Sequence, residues 1–362
     1  MISNQILQNT VDGLKEITGI DLSICDMEGK VIASTFADSR QVDNNAVMLF
    51  SQSEADSQIK QGGQYFKIYD EKHPEYILIV NGVGEEVTMV GKLAVFQIQN
   101  LLVAYKERFD KDNFVKNLLL DNLLLIDIYN RAKKLHIQTD AKRVVIVIEA
   151  KGANDTGVLE QVRSLFATRH DDFVTAVDED NVIIVRTIDE NEGYEELNKL
   201  AQAVLSNIDS NGAKDYHIAI GTIIGDIKEV SRSYKEAKMA LEVGKIFFAD
   251  KNIVTYSTLG IGRLIYQLPI SLCKMFIKEI FDNKSPDDFD EETLTTINKF
   301  FANSLNVSET SRQLYIHRNT LVYRLDKLQK NTGLDLRVFE DAITLKIALM
   351  VVKYMNYMEE HD

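Results

Sequence analysis

The feature that most constrains this fold is an alternation of strand and helix patterns over residues 140–256. Residues 143–149 read RVVIVIE, an apolar run typical of a buried strand. The patterns around it follow the order strand, helix, strand, strand, helix, strand, and a further helix and strand complete the segment. This βαββαβ order predicts a ferredoxin-like domain over residues 139–256.

No strand pattern returns after residue 256, so residues 257–362 are predicted to form an all-helical domain. Residues 1–84 combine one helical pattern with paired strands, which predicts a small α+β sensor-like module. Between these parts, residues 85–138 are helical in pattern and carry more apolar side chains than one buried stripe requires. We therefore predict an α+β multidomain protein with a long helical connector that provides a dimer contact.

Charge and composition exclude several classes of protein. Asp and Glu number 55 against 41 Lys and Arg, a net charge of −14, which argues against non-specific coating of nucleic acid by the whole surface. Cys25 and Cys273 are 248 positions apart, so neither a disulfide scaffold nor a metal motif is expected. No membrane span, export signal, metal or cofactor is predicted, and we expect a cytoplasmic protein.

The segment that carries function is residues 306–333, NVSETSRQLYIHRNTLVYRLDKLQKNTG. A short helix pattern beginning near Ser308 is followed by a turn at Tyr315 and Ile316 and by a second helix pattern. On that second helix, Leu321, Leu325 and Leu328 recur at the spacing of one buried face. A short helix, a tight turn and a second helix with polar outer faces predict a helix-turn-helix.

The charge of this segment supports binding to double-stranded DNA. Residues 308–333 hold five basic and two acidic side chains, a local net charge of +3 in an acidic chain. Arginine and asparagine form paired hydrogen bonds with guanine and adenine edges, and basic side chains bind phosphates. The alternative is a basic amphipathic hairpin that packs against another helix and contacts no nucleic acid.

The run from Asn306 to residue 336 closely resembles the C-terminal helix-turn-helix of the sugar-diacid-regulator (CdaR/PucR) family of bacterial transcription factors. The segment SYKEAKMALEVG at 233–244 is similar to the end of that family's GGDEF-like middle domain. GKVIAST at 29–35 is similar to part of its diacid-recognition domain. The resemblance implies a transcriptional regulator whose recognition helix begins at His317. The surplus apolar surface of residues 85–135 and the need for one helix-turn-helix per half-site predict a dimer. The predicted DNA contacts are Arg312, His317, Arg318, Asn319, Thr320, Tyr323, Arg324 and Lys327.

The competing interpretation is a nucleotide-signalling enzyme that works through the middle domain. A cyclase of this fold needs a hairpin in which glycines lie beside acidic residues, so that phosphates and a metal can approach. The acids at 171–172 and 178–180 have no neighbouring glycine. We therefore expect no catalytic residues.

The N-terminal module offers weaker indications of a ligand. Ser34, Thr35, Lys67 and Asn81 could line a polar pocket for a small acidic metabolite, or they could be solvated strand ends. The segments at 42–50 and 81–90 depart from the family pattern.

Overall fold

The computed structural model describes residues 2–37, 43–150, 156–169, 171–209, 216–281 and 289–361. The chain divides into two compact units, Met1–Phe114 and Val115–Asp362. The predicted division into four segments stays a prediction.

Unit 1 is built on a five-stranded antiparallel sheet in the order β2-β1-β5-β4-β3. Its elements are α1 (Asn4–Thr18), β1 (Leu22–Asp26), β2 (Val31–Ser34), α2 (Asn44–Ser51), β3 (Ser57–Lys60), β4 (Gly63–Asp70), β5 (His73–Asn81) and α3 (Glu85–Leu119). Helix α2 and strand β3 were not predicted from the sequence. Helix α2 begins at Asp43, whose carboxylate accepts hydrogen bonds from the amides of Asn45 and Ala46.

The two faces of this sheet are covered by different helices. Leu7 of α1 and Ile98 of α3 are fully buried in a cluster with Leu78 of the sheet. Phe50 of α2 packs on the opposite face in a second cluster with Tyr65. The sheet is therefore buried on both sides.

Helix α3 is shorter than the predicted helical connector. It ends at Leu119, and a separate helix α4 (Leu125–Lys134) follows. Asp121 has a φ of 62°, a left-handed conformation that aspartate tolerates better than most residues. Its carboxylate accepts hydrogen bonds from Lys235 and Ser231, at 2.7 Å and 3.3 Å. These contacts hold the break between the helices.

By length and composition, α3 is also the one helix among the described residues that could cross a membrane. An 18-residue window of α3 has a mean hydropathy of 1.4, and 17% of that window is buried. The sequence prediction of no membrane span overlooked this window, because polar residues interrupt its apolar runs.

Unit 2 begins at Val115, within the last residues of α3, and contains α4 and the predicted mixed domain. Its further elements are β6 (Arg143–Ala150), α5 (Thr156–Leu165), β7 (Phe173–Ala176), β8 (Asn181–Thr187), α6 (Tyr194–Ile208), β9 (Tyr216–Ile220), α7 (Val230–Phe247) and β10 (Ile253–Thr255). The strand order is β10-β9-β6-β8-β7, in which only the β9–β10 pair is parallel among the described strands. The element order matches the predicted βαββαβ arrangement followed by a helix and a strand.

The described residues after Thr255 form helices and no strand. These helices are α8 (Gly262–Ile265), α9 (Ile270–Phe281), α10 (Glu291–Ala302), α11 (Val307–Gln313), α12 (Arg318–Thr332) and α13 (Phe339–His361). Ile246 of α7 is buried in the same cluster as Phe300 and Leu345 of these helices. Helix α7 therefore packs on the sheet and also belongs to the core of the helical region.

A buried ion pair lies where α7 meets both neighbours. The Lys245 ammonium donates to Glu149 of β6 at 2.6 Å and to Glu242 at 2.9 Å. The hydroxyl of Tyr357 on α13 donates to the other oxygen of Glu242, at 3.1 Å. Polar contacts thus connect the sheet, α7 and the last helix.

Candidate DNA-binding site

Helices α11 and α12 form a helix-turn-helix whose ends are fixed by local hydrogen bonds. The side chain of Asn306 accepts from the amide of Glu309 and begins α11. His317 begins α12, and its Nδ1 accepts from the amide of Asn319 at 3.2 Å. Gly333, with a φ of 78°, ends α12. The prediction that His317 begins this helix is confirmed.

The buried face of α12 is the predicted one. Leu321, Leu325 and Leu328 are at most 4% exposed and pack in the core of the helical region. This row fixes which side of the helix faces outwards, because the same face cannot rotate into solvent without exposing three leucines.

The exposed surface begins at the first turn of α12. Arg318, Asn319 and Thr320 are exposed, and Tyr323 follows one turn later with 69% of its surface accessible. In a helix-turn-helix, the first residues of the recognition helix contact base edges in the major groove. Four of the predicted DNA contacts are therefore exposed at the start of α12.

The exposed basic side chains on the flanks suit phosphate contacts. Arg312 on α11 keeps 77% of its side chain accessible while it pairs with Glu309 at 2.8 Å. Its guanidinium holds the pKa of Glu309 below the ordinary value, so this pair is charged at neutral pH. Lys327 is also exposed. The local charge around the helix-turn-helix remains suited to a polyanion.

Arg324 does not lie on the exposed face. Its guanidinium donates to Glu292 at 2.6 Å and to the hydroxyl of Thr296 at 3.1 Å, and 24% of the side chain is accessible. The sequence prediction placed it opposite the leucine row. Helical geometry puts Arg324 only about 60° from Leu321, whereas Asn319 lies about 160° away. Arg324 therefore sits on the flank that packs against α10.

The acidic start of α10 borders this flank. Asp290 begins α10 and accepts a hydrogen bond from the amide of Thr293, at 2.8 Å. The hydrogen bonds from Thr293 hold the pKa of Asp290 below its ordinary value, and the charges of Lys327 and Arg324 act in the same direction. The flank is thus a set of opposite charges rather than an open basic surface.

The geometry of Arg324 leads to a prediction about stability. We expect Arg324→Ala and Glu292→Ala each to lower the free energy of unfolding by about 0.2–1 kcal/mol, because the pair is partly exposed to solvent. A double-mutant cycle measured by urea unfolding tests this. Strictly additive losses would contradict an energetic link between the two side chains.

Sequence reasoning placed Tyr315 in the turn but did not include it among the predicted DNA contacts. This residue has a φ of 55° in the turn before α12, and its side chain is 97% exposed. Most residues avoid this conformation, and glycine is the usual choice after a helix end. The sequence indicated this residue only in that a turn position that usually holds glycine holds a tyrosine. Tyr315 thus places an aromatic side chain beside the start of the recognition helix.

The structure does not gather the four predicted effector residues into one pocket. Ser34 on β2 and Lys67 on β4 are three strand spacings apart, about 14 Å. The Thr35 hydroxyl donates to Asp21, and the amide of Asn81 donates to the carbonyl of the same residue. Sequence reasoning grouped these residues as a candidate pocket without knowledge of the strand order.

Two segments of this chain match known domain families. Residues 123–243 match the GGDEF-like domain family, and residues 293–351 match the PucR C-terminal helix-turn-helix domain family. The second match contains α11 and α12 together with most of α10 and part of α13.

Three curated relatives are similar to this chain at low sequence identity. The carbohydrate diacid regulator of Escherichia coli is 23% identical over 74% of this chain and 72% of its own length. The DNA-binding transcriptional activator AdeR of Bacillus subtilis is 26% identical over 59% of this chain and 52% of its own. The purine catabolism regulatory protein of Bacillus subtilis is 26% identical over 38% of this chain, but only 26% of its own length is matched. With the two domain matches, these relatives confirm the resemblance to the CdaR/PucR family of transcription regulators that is seen in the sequence.

Proposed function

We propose that this protein is a sequence-specific transcriptional regulator of metabolic genes that binds a double-stranded DNA operator through α12. The observation that carries the proposal is the exposed first turn of α12, with Arg318 and Asn319 accessible above a buried leucine row. These side chains have the hydrogen-bonding groups that read guanine and adenine edges. A cytoplasmic location and a homodimer with one helix-turn-helix per half-site belong to the same proposal.

Genome-wide mapping of bound sites is the direct test. Enrichment of a two-fold symmetric sequence beside metabolic genes is the expected result. Binding without sequence preference, with an affinity that depends only on salt, would contradict the proposal.

The middle domain is proposed to be non-catalytic. The Asp178 carboxylate accepts hydrogen bonds from the amides of Asp180 and Asn181, and so it closes its own turn. Asp172 is buried and bound to Arg186 at 3.1 Å. Burial raises the pKa of Asp172, against the opposing effect of its hydrogen bonds from Thr187 and Arg186. Both acidic clusters are therefore used in structural contacts.

Glu149, at the end of the central strand β6, is likewise occupied. Its carboxylate is bound by the Lys245 ammonium, so a cation of the protein itself sits beside this acid. The alternative function, a nucleotide-signalling enzyme, predicts metal-dependent turnover of GTP by the purified chain. Product formation at a useful rate would replace the proposed function of this domain.

An acidic effector is the remaining part of the proposal. Lys67 is 6% exposed, donates to the carbonyl of Ser53, and lies 5.5 Å from the centre of the Phe50 ring. Within the described ranges, no carboxylate lies within 4 Å of this ammonium. Among the described lysines of the N-terminal module, Lys67 is the buried one, so its charge is the one that gains most from a small organic acid beside it.

Replacing Lys67 tests this role. We expect small dicarboxylic acids to raise the melting temperature of the wild-type chain and to have no effect on Lys67→Met. Lys15→Met is the control, because the Lys15 ammonium already pairs with Asp21 at 2.6 Å. An equal response in Lys67→Met would exclude Lys67 as the acid-binding group.

A further inference from the structure

One row of α3 is apolar and exposed. Its apolar members are 58–62% accessible, although the same helix buries its other side in the core of unit 1. The row consists of Met89, Leu93, Phe96, Asn100 and Val103.

The spacing of this row is regular. Its members are separated by four, three, four and three positions, the repeat with which two helices pack side by side as a coiled coil. Leu93, Phe96 and Ile98 are all apolar and lie close together in the sequence. The structure separates them, since Ile98 is buried against the sheet while Leu93 and Phe96 face solvent.

The row cannot turn inwards to cover itself. A Cβ added to Gly91 would lie 2.2 Å from the ring of Phe66, so the helix approaches the sheet closely on its other side. The buried residues Ala94 and Ile98 fix the same orientation. Any partner of the row must therefore come from outside unit 1.

We propose that this row, residues 89–103, is the surface on which two copies of the chain pair through parallel, in-register α3 helices. In this arrangement Asn100 of one copy faces Asn100 of the other, and the two amides can hydrogen-bond. Other registers bury an amide against an apolar side chain. A single asparagine in such a seam selects register and the two-stranded state.

Charges limit the row at both ends. Continuing the same spacing gives Glu86 before Leu93 and Glu107 after Asn100, and both are exposed. In a parallel pair, each glutamate would face the same glutamate of the other copy, and the two like charges would repel. The apolar contact is thus confined to about two heptads.

The size of the surface fits a second copy. The four apolar side chains leave roughly 400 Å² exposed, within the range of the largest functional patches on monomers. Flanking Lys92, Gln97 and Gln99 would add the polar rim of an interface. The apolar and polar areas together approach the roughly 800 Å² that each partner buries in a standard protein interface.

A membrane is the other partner that this helix could suit, and the structure disfavours it. Spanning a bilayer would require α3 to leave the sheet and expose the core around Ile98 and Leu78. Asn100 within the row and Lys92 beside it would also enter hydrocarbon at considerable cost.

The test uses the full-length chain in sedimentation velocity. We expect wild type at about twice 41.1 kDa and the Leu93→Glu/Phe96→Glu variant at 41.1 kDa, with a dissociation constant raised about 100-fold or more. Phe109→Glu is the matched control, because Phe109 is 62% exposed on the same helix but lies outside the row. It should remain dimeric.

Cross-linking tests the register. Both native cysteines are buried, so Leu93→Cys introduces an accessible thiol. An added mild oxidant, such as a copper(II) complex with dissolved oxygen, should remove two electrons and two protons from a pair of these thiols to form a disulfide between copies, whereas Phe109→Cys should not cross-link. A wild-type chain that is monomeric at 100 µM would overturn the proposal. So would a wild-type chain that co-floats with anionic vesicles in a flotation assay, if the substitutions in this row abolish that binding.

This inference rests on the proposed function only in that a two-fold symmetric operator needs a dimer. The experiments distinguish a failure of the dimer proposal from a failure of the regulator proposal. A dimer that binds no specific DNA would refute the regulator and leave the interface standing. A monomer that binds operator half-sites would refute the interface alone.

Discussion

We expect Lys245→Ala to lower the free energy of unfolding of the full chain by about 3–5 kcal/mol at pH 7. The side chains of Lys245 and Glu149 are 12% and 10% accessible, so the substitution leaves a buried carboxylate without its cation. Glu242 loses the same partner. Urea unfolding followed by circular dichroism measures the loss.

Two variants control this prediction. Lys199→Ala removes an exposed pair with Glu195 and should cost less than about 0.5 kcal/mol. Lys245→Met combined with Glu149→Leu removes both buried charges and should recover most of the stability. Equal losses in Lys245→Ala and Lys199→Ala would show that the buried pair contributes nothing special.

The pH dependence of this pair follows from the direction of its pKa shift. Burial acts to lower the pKa of Lys245, but the hydrogen bonds to Glu149 and Glu242 outweigh it and raise the pKa above its ordinary 10.5. A raised pKa in the folded state means that the stabilisation is complete below pH 10.5. It is lost only as the pH rises through the higher folded value.

The second large effect concerns DNA. We expect Asn319→Ala and Arg318→Ala each to weaken operator binding by about 1–3 kcal/mol, or about 5- to 150-fold, and to change random-DNA binding little. Both side chains are exposed at the start of α12, so each variant should retain its folding free energy within about 0.5 kcal/mol. Fluorescence anisotropy at two salt concentrations measures both affinities.

Lys327→Ala is the matched comparison on the same helix. If Lys327 contacts phosphate, the affinities for operator and for random DNA should fall together. The slope of log affinity against log salt concentration should then decrease in magnitude by about one. Full operator affinity in a folded Arg318→Ala/Asn319→Ala double variant would exclude α12 as the reading helix.

Local patterns predicted much of this protein. The strand RVVIVIE and the leucine row of α12 were predictable because burial on both faces, or on one helical face, leaves a direct periodic signal. The helix-turn-helix followed from the same kind of information, whereas the start of its second helix at His317 was implied by the family resemblance. Helix α2 and strand β3 were missed because they are short and their apolar periodicity is weak.

Contacts between distant elements could not be predicted in this way. Arg324 was taken for an exposed side chain although helical spacing alone places it on the flank of α12, and the sequence does not indicate that α10 brings Glu292 to it. The same applies to Leu93 and Ile98, which are both apolar and close in sequence but face opposite sides of α3. Only the packed sheet determines which of them is covered.

The position of Ile246 has a consequence for how this protein can be taken apart. Helix α7 supplies one wall to the sheet domain and one to the helical core, so cutting the chain after Thr255 would strip the DNA-binding half of a structural element. Such a fragment would lose Ile246 from the buried cluster that also contains Phe300 and Leu345. We therefore expect the two halves of Val115–Asp362 to unfold as one cooperative unit, and a chimera that uses this DNA-binding region needs α7 as well.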